Sequence, residues 1–310
     1  MLNIEWELFS EGIVNSADLA ATMREIQSTN VHGKLDDNEQ LFGVAPMHDA
    51  ANVEVFIAMD TRGSSPELVA AVKHGLDCLG VSYRDFGLLT TPQLHYQVAA
   101  SANSATDFTN AFRDFMQLSD GSRTTPLQNY ESSLVLDCAN GVGALPMYDV
   151  VQALRGFLEI ELVNTDTSKH ELLNEGCGAE FVHKDGKLPT GVDANSAKKA
   201  AAFDGDADRL MYFKNLGDKP VIIDGDKQFS FIMLYITGLL KELGIEDQVS
   251  NVLVNTAYAN SQALNFLYSR GVNTQMVPTG VKYAHPVVQN FTIGANDEPN
   301  GHGTICIKWD

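Results

Sequence analysis

The sequence predicts an α/β protein made of several strand–loop–helix units in series. Three observations carry that prediction. Short apolar strands alternate with helix-length amphipathic segments at three places along the 310 residues, which is the pattern of α/β layers. Helix starts and stops are marked by local chemistry as well as by hydrophobicity. The length exceeds that of a usual single domain, so two or three domains are expected.

Residues 4–29 read as a helix, with Ile4, Leu8, Ile13, Leu19, Met23 and Ile26 on one apolar stripe. The polar stretch Asn30 to Asn52 reads as a surface loop. Val53 to Met59 is a buried strand ending at Asp60, and Ser65-Pro66-Glu67 starts a helix. Ser65 is assigned as the hydroxyl cap in preference to a nucleophile, with Pro next and an acid near the positive helix end. Gly80 stops that helix after Leu79. The pattern returns with Ser133 to Cys138 as a strand, Ala139 to Ala144 as a turn and Pro146 to Leu154 as a helix. Ala200 to Phe203 and Leu210 to Phe213 are short apolar strands flanking an acidic loop. Gln228 to Leu240 is helical, with Asp226 expected as its cap. Asn251 to Val254 is a strand and Ala259 to Ser269 a helix. Boundaries between units are expected near residues 117–130 and 215–226.

Composition narrows the function classes. A net charge of −19 disfavours nucleic acid and anionic membranes as partners. Cys78, Cys138, Cys177 and Cys306 show neither metal spacing nor a dense framework, which fits reduced thiols and a cytoplasmic location. The most apolar stretch, Val221 to Leu240, is broken by Asp224, Asp226, Lys227 and Gln228, so no membrane span is expected. The start, Met1 to Glu7, is acidic and is not read as a secretory signal.

The densest chemical signal is Asp204-Gly205-Asp206-Ala207-Asp208-Arg209. Three carboxylates at alternate positions repel one another unless a cation neutralises them. An all-oxygen set suits a hard divalent ion, Mg²⁺ foremost, and Arg209 offers a planar fork to a phosphate oxygen. An EF-hand starting at Asp204 would need Gly at its sixth position and Glu at its twelfth; the chain has Arg209 and Asn215 there. A solvated acidic turn is the plain alternative, opposed by the apolar strands that clamp the loop at both ends.

Other loops hold further candidates. Arg62, in Asp60-Thr61-Arg62-Gly63-Ser64-Ser65, follows a strand and reads equally as a phosphate contact or as the solvated arm of a capped turn. Asp137-Cys138-Ala139-Asn140-Gly141-Val142-Gly143 lacks the G-x-G-x-x-G spacing and reads as a structural strand-to-helix turn. Thr279-Gly280-Val281-Lys282, with His285, reads as a loop after a strand whose Lys282 offers a point charge to phosphate. Glu298-Pro299-Asn300-Gly301-His302-Gly303 is rich in hydrogen-bonding side chains separated by Gly, suiting either a sugar-contacting loop or a surface hairpin turn.

Together, Arg62, the loop from Asp204 to Arg209, Thr279 to Lys282, and Glu298 to Gly303 resemble the α-D-phosphohexomutase superfamily, and within it the branch acting on N-acetylglucosamine phosphates. Thr90-Thr91-Pro92-Gln93-Leu94-His95-Tyr96, Asp137-Cys138-Ala139-Asn140-Gly141 and Asn300-Gly301-His302-Gly303-Thr304 extend the likeness, in order, over nearly the whole chain. The resemblance implies tandem α/β domains with mixed sheets. It places a partial first domain at residues 1–120, a second with the metal loop at 121–225, and a third with the sugar loop at 226–310. It implies interconversion of N-acetylglucosamine 6-phosphate and 1-phosphate through a phosphoserine and a bisphosphate, towards UDP-N-acetylglucosamine. Such phosphoryl transfer works by positioning and charge neutralisation.

By the same resemblance, Asp204, Asp206 and Asp208 hold Mg²⁺, and Arg62 and Arg209 neutralise the transferring phosphoryl group. Lys282 contacts phosphate or assists proton transfer. Glu298, Asn300 and His302, with Thr279 and Gly280, bind the substrate. The implied partner is a small-molecule sugar phosphate, and relatives are usually monomers or dimers. The chain departs from the pattern in four respects. No Thr-Ala-Ser-His-Asn-Pro serine loop occurs in it, and Met1 falls just after the place for that loop. Asp310 precedes the distal Ser/Thr/Arg phosphate loop, and Gly294 to Pro299 replaces a Phe-Glu-Ala-Asn lead-in. The chain is therefore expected to be a central fragment with negligible mutase activity alone. Two alternatives stand beside this: a non-catalytic sugar-phosphate-binding paralogue, and a haloacid-dehalogenase-type phosphatase with Asp204 as nucleophile and Asp206 as acid.

Overall fold

A computed structural model describes residues 54–100, 108–110, 114, 131–193, 199–215 and 220–308. The helix expected over 4–29, the loop over 30–52 and the boundary at 117–130 lie outside the described residues. The chain divides into two compact units: one holds residues up to Met59 together with Ser64–Gly87, the other Asp60–Gly63 together with Leu88 onward.

In the first unit, strand β1 (Glu54–Met59), helix α1 (Ser65–Leu79) and strand β2 (Ser82–Leu88) form a two-stranded sheet with one helix. Gly80 ends α1 in the left-handed conformation with φ 66°, donating back to Asp77 O, as the stop signal predicts. The start differs by one residue. Ser64 occupies the cap position without a side-chain hydrogen bond, and Ser65 is a buried first-turn residue. The hydroxyl-cap assignment of Ser65 is therefore corrected. Arg84 ties the strands together, 3.0 Å from Glu54 and 5.0 Å from the ring centre of Phe56.

The second unit begins with helix α2 (Thr91–Ala100) and carries two mixed sheets. The five-stranded sheet runs β4 (Glu159–Val163), β3 (Ser133–Asp137), β5 (Lys199–Phe203), β6 (Leu210–Asn215), β7 (Pro220–Ile223). β4, β3 and β5 are parallel, while β6 and β7 return antiparallel. β7 occupies part of the stretch expected as a boundary, because Ile222 and Ile223 extend the sheet against Phe213 and Tyr212. Helices α3 (Ala144–Leu154) and α4 (Ala179–Asp185) cover this sheet. Val135, Ala200, Ala202, Met211 and Phe213 pack with α4 on one face; Leu134, Leu136 and Ala201 pack with Ala144 of α3 on the other. The Ala run of β5 is buried on both faces, so its small side chains let helices approach from both sides.

The four-stranded sheet runs β11 (Gly303–Ile307), β10 (Ile293–Asp297), β8 (Asn251–Thr256), β9 (Thr274–Val277), with only the β10–β11 hairpin antiparallel. Helices α5 (Gly225–Leu243), α6 (Ser261–Ser269) and α7 (Val281–Val288) complete it. Leu253 and Ala295 face Phe229 and Met233 of α5, and Val252 and Val254 face Ala284 and Val288 of α7. α5 starts earlier than the hydrophobic pattern implied. Asp224 is the cap, accepting from Lys227 N, and Asp226 is a buried first-turn residue. The cap assignment thus moves from Asp226 to Asp224. Lys282 and His285, expected on a loop, lie in α7, where the chain turns helical within three residues of β9. Among the described residues no helix is long and apolar enough to cross a membrane. All four cysteines are free thiols.

Candidate metal centre

The acidic loop is the connection between β5 and β6, an antiparallel pair whose register ends at Phe203 opposite Leu210. Ala207 sits at φ 58° and its N–H donates to Asp204 O at 3.1 Å, a tight turn that points alternate side chains inward. One carboxylate oxygen from each of Asp204, Asp206 and Asp208 lies within 4.8 Å of the other two. Asp204 is buried and the other two are half-buried.

Each carboxylate has its own anchor. Asp204 accepts from Arg209 N at 3.3 Å and faces Arg209 Nε at 3.2 Å. Asp206 accepts from the Thr91 hydroxyl at 2.8 Å and lies 3.7 Å from Arg62, while the Thr91 N–H donates to Asp206 O. Asp208 lies 2.9 Å from His302 Nε2. Arg62 also pairs with Asp60 at 2.5 Å, so its guanidinium, still half in solvent, lies between Asp60 and the cluster.

Charge within the cluster is unbalanced. Burial first, and then the charges of Asp208 and Asp206, push the Asp204 carboxyl up to about 6, against the pull of Arg209. Burial also works against ionisation of Asp208, yet the hydrogen bond and charge of His302 hold it below the usual carboxylate range. Asp208 in turn raises His302 above its ordinary value, against the opposing effect of burial. Three converging oxygens, one with its ionisation suppressed by burial and then by its neighbours' charges, form a donor set that a hard divalent cation satisfies.

The sugar-loop candidates meet this cluster through backbone as well as side chains. Arg209 and His302 form an antiparallel bridge, and Leu210 N donates to Gly301 O at 3.2 Å. His302 Nδ1 lies 3.2 Å from Asn300 Oδ1 and 3.7 Å from Glu298, and Asn300 donates to Glu298 at 3.2 Å. Glu298, Asn300, His302, Arg209, Asp204 and Asp208 therefore form one connected polar network, and Asp206, held by Thr91 and Arg62, brings a carboxylate oxygen within 4.8 Å of those of Asp204 and Asp208. The hairpin alternative for residues 298–303 also holds, since β10 and β11 are joined there. Thr279, Gly280 and Lys282 stand apart: they lie at the start of α7, with Lys282 Nζ 5.1 Å from the ring centre of Tyr283. Among the described residues they make no hydrogen bond or ion pair with the cluster.

Two supports were not singled out from the sequence for their role at the site. Thr91 fixes Asp206 from α2. Asp137, fully buried at the end of β3, accepts from Ala139 N at 2.9 Å, Gly178 N at 2.6 Å and Asn164 Nδ2 at 2.9 Å. This organises the turn that buttresses the metal loop, where Val142 N donates to Gly205 O at 3.1 Å. A Cβ on Gly141 would collide with the Gly205 carbonyl. Gly141→Ala is accordingly expected to cost about 1–3 kcal/mol by overpacking and to displace the loop. Lowered Tm together with weakened Mg²⁺ binding checks this, whereas an unchanged Mg²⁺ affinity would show that the turn does not position the loop.

The strand order, the carboxylate loop and the loop meeting it from the second sheet define a member of the α-D-phosphohexomutase superfamily. Residues 39–106 match the model of phosphoglucomutase/phosphomannomutase α/β/α domain I. Residues 99–211 and 224–310 match the models of phosphoacetylglucosamine mutase AMG1, domains II and III. The chain belongs to the phosphoacetylglucosamine mutase family. It is 38% identical over 270 residues to phosphoacetylglucosamine mutase 1 of Schizosaccharomyces pombe, covering 82% of this chain and 51% of that one. It is 32% identical to phosphoacetylglucosamine mutase of Oryza sativa subsp. japonica, covering 99% of this chain and 56% of that one. The structure resembles that of Aspergillus fumigatus N-acetylphosphoglucosamine mutase in complex with GlcNAc-6P and magnesium. The TM-score is 0.73 at 28% identity, covering 92% of this chain and 59% of that one. The chain thus spans about half the length of the relatives it matches.

Proposed function

We propose that these residues are the metal- and sugar-binding part of a phosphoacetylglucosamine mutase, which interconverts N-acetylglucosamine 6-phosphate and 1-phosphate through a phosphoserine and a bisphosphate. The observation that carries the reading is the connected network from the three carboxylates through Arg209 and His302 to Asn300 and Glu298. Asp204, Asp206 and Asp208 would hold Mg²⁺, which supplies charge neutralisation to a phosphate. Magnesium in the Aspergillus fumigatus relative supports that assignment. Arg62 and Arg209 flank the cluster and offer guanidinium forks to the transferring group. His302, held on Asp208, and Asn300 and Glu298 beside it would read sugar hydroxyls. Thr279, Gly280 and Lys282 would meet the substrate from the start of α7. The domain partition proposed is 1–120, 121–225 and 226–310, in a cytoplasmic protein with reduced thiols.

The 310 residues contain no Thr-Ala-Ser-His-Asn-Pro string. This polypeptide alone is therefore proposed to bind sugar phosphate without turning it over, since covalent catalysis needs its nucleophile. The phosphatase alternative gains no support, because Asp206 is engaged by Thr91 and Arg62 and not free as an acid. Calorimetric titration with N-acetylglucosamine 6-phosphate tests the reading. Binding that requires both the phosphate and Mg²⁺, with no 1-phosphate formed, is the expected result. Equal binding after chelation, or phosphate release that Asp204→Asn abolishes, would contradict it.

A further inference from the structure

Outside the metal cluster, a second set of buried polar atoms lies where the first turn of α5 meets the ends of β8 and β10. Asp226, Asn255 and Asp297 are respectively 6%, 2% and 1% exposed. Asn255 and Asp297 are register partners on adjacent parallel strands, so their side chains leave the sheet on one face. That face is covered by α5, because Leu253 and Ala295, two residues earlier on each strand, pack against Phe229 and Met233.

Each carboxyl has one satisfied oxygen. Asn255 Nδ2 donates to Asp297 Oδ1 at 2.6 Å, and Asn260 N donates to Asp226 Oδ2 at 2.7 Å. The remaining oxygens, Asp297 Oδ2 and Asp226 Oδ1, have no hydrogen-bond donor, and the two carboxyls lie within hydrogen-bonding reach of each other. Two buried carboxylates so placed disfavour joint ionisation. One proton between them supplies the missing donor, and the helix start lies close against the loop backbone, since a Cβ on Gly225, next to Asp226, would collide with Glu298 O.

We propose that Asp226 and Asp297 share one proton, and that this carboxyl pair is a pin positioning the Glu298–His302 loop against α5. Asp297 is the last residue of β10 and Glu298 opens the loop. Gly225 N approaches Pro299 O at 3.5 Å, so helix start and loop already touch through backbone. The charged groups facing the pair favour a bound proton. Asp224 from the α5 cap and Glu298 from the loop add negative charge, with Asp224 itself paired to Lys227 and Glu298 to His302. β8 contributes the neutral Asn255 and the start of α6 an amide from Asn260. No described ion pair brings a cation to either carboxyl. Burial, then the charge and hydrogen bond of Asp226, push Asp297 up to about 8. Between the ordinary carboxyl range and that value the folded chain therefore binds one proton more than the unfolded chain. Stability from this site falls as pH rises across the interval and levels off above it. Above it the second charge drives the loop off α5. The role is one of positioning and touches no substrate.

Infrared difference spectroscopy of the 310-residue chain, wild type against Asp297→Asn, tests the shared proton without any sugar. A protonated-carboxyl C=O band at neutral pH, absent from the variant and lost from the wild type above about pH 8, is expected. Asp297→Asn donates an amide N–H to Asp226 at every pH, so it should fold and lose the pH slope of Tm seen in the wild type. The sugar-phosphate readout rests on the function proposed above: between neutral pH and about pH 10 wild-type affinity should fall about tenfold more than that of the variant. A missing carboxyl band, or the same Tm slope in both proteins, overturns the proposal. If the band and slope behave as expected but neither protein binds sugar phosphate, the shared proton stands while the positioning role and the mutase reading fall.

Discussion

Replacing Asp208 by Ala is expected to weaken Mg²⁺ binding at least about 100-fold, since even groups behind a metal's ligands are worth 10–100-fold. The substitution removes one of the three carboxylates that converge among the described residues and releases His302 from its 2.9 Å partner. Asp204→Asn should weaken Mg²⁺ similarly but affect the metal-free chain in the opposite direction. Asp204 is held up to about 6 by burial and by its neighbours' charges. From the ordinary carboxyl range up to about 6 the metal-free fold therefore loses stability as pH rises, and above that the full cost of ionising Asp204 is present, because the folded chain has given up a proton it favours. An Asn there removes the repulsion, so the metal-free variant should melt higher than the wild type at neutral pH and lose nearly all stabilisation by added Mg²⁺. In the wild type, Mg²⁺ affinity should decline as pH falls through about 6, where a proton competes for Asp204. Calorimetry and thermal melts with and without Mg²⁺ measure both effects. A variant that melts lower without metal would mean that Arg209, and not the like charges, dominates the environment of Asp204.

Arg209→Ala carries the second large effect. Its guanidinium spans Asp204 at 3.2 Å, His302 at 3.4 Å and Glu180 at 4.0 Å, so it links the metal loop to the sugar loop. Truncating such a charged, hydrogen-bonded partner costs about 2 kcal/mol or more, roughly 30-fold in affinity for a phosphate; the lower end applies because the side chain is about a quarter exposed. The discriminating feature is the sign on the metal. Removing a positive charge beside three carboxylates should leave Mg²⁺ affinity equal or higher while N-acetylglucosamine 6-phosphate binding falls. Arg209→Lys restores the charge without the planar fork and should recover only part of the loss. Parallel loss of metal and sugar phosphate would instead assign Arg209 to holding the loop folded.

Much of this arrangement is legible in the sequence because it is local. The acidic loop and its two flanking strands occupy one short span, and the antiparallel β5–β6 pair follows from two apolar runs around a tight turn. Gly80 ends α1 for a reason visible in one residue. The caps near Ser65 and Asp226 are not legible from sequence because each helix start offers two eligible residues, adjacent Ser64 and Ser65 in one and Asp224 and Asp226 two apart in the other. At α5 the non-helical backbone falls on Asp224, with Asp226 buried in the first turn, whereas Ser64 before α1 is already helical and makes no side-chain cap bond. Lys282 reads as a loop residue because the run Val281–Val288 is short and contains Pro286, so periodicity is weak; packing of Ala284 and Val288 on β8 makes it helical. The closing of the site was not local at all. Arg209 and His302 are 93 residues apart and Thr91 and Asp206 are 115 apart, and no spacing rule joins them. There the family resemblance supplied what periodicity lacks, and the buried Asp226–Asp297 pair was suggested by neither.

The most direct test of the account is electron paramagnetic resonance of Mn²⁺, standing in for Mg²⁺, on the 310-residue chain titrated with N-acetylglucosamine 6-phosphate. One tightly held Mn²⁺ per chain, displaced by Mg²⁺, lost in Asp208→Ala, and perturbed by the sugar phosphate but not by N-acetylglucosamine alone, is the predicted result. A chain that holds no Mn²⁺, or whose bound Mn²⁺ is unaffected by Asp208→Ala and by the sugar phosphate, would contradict it.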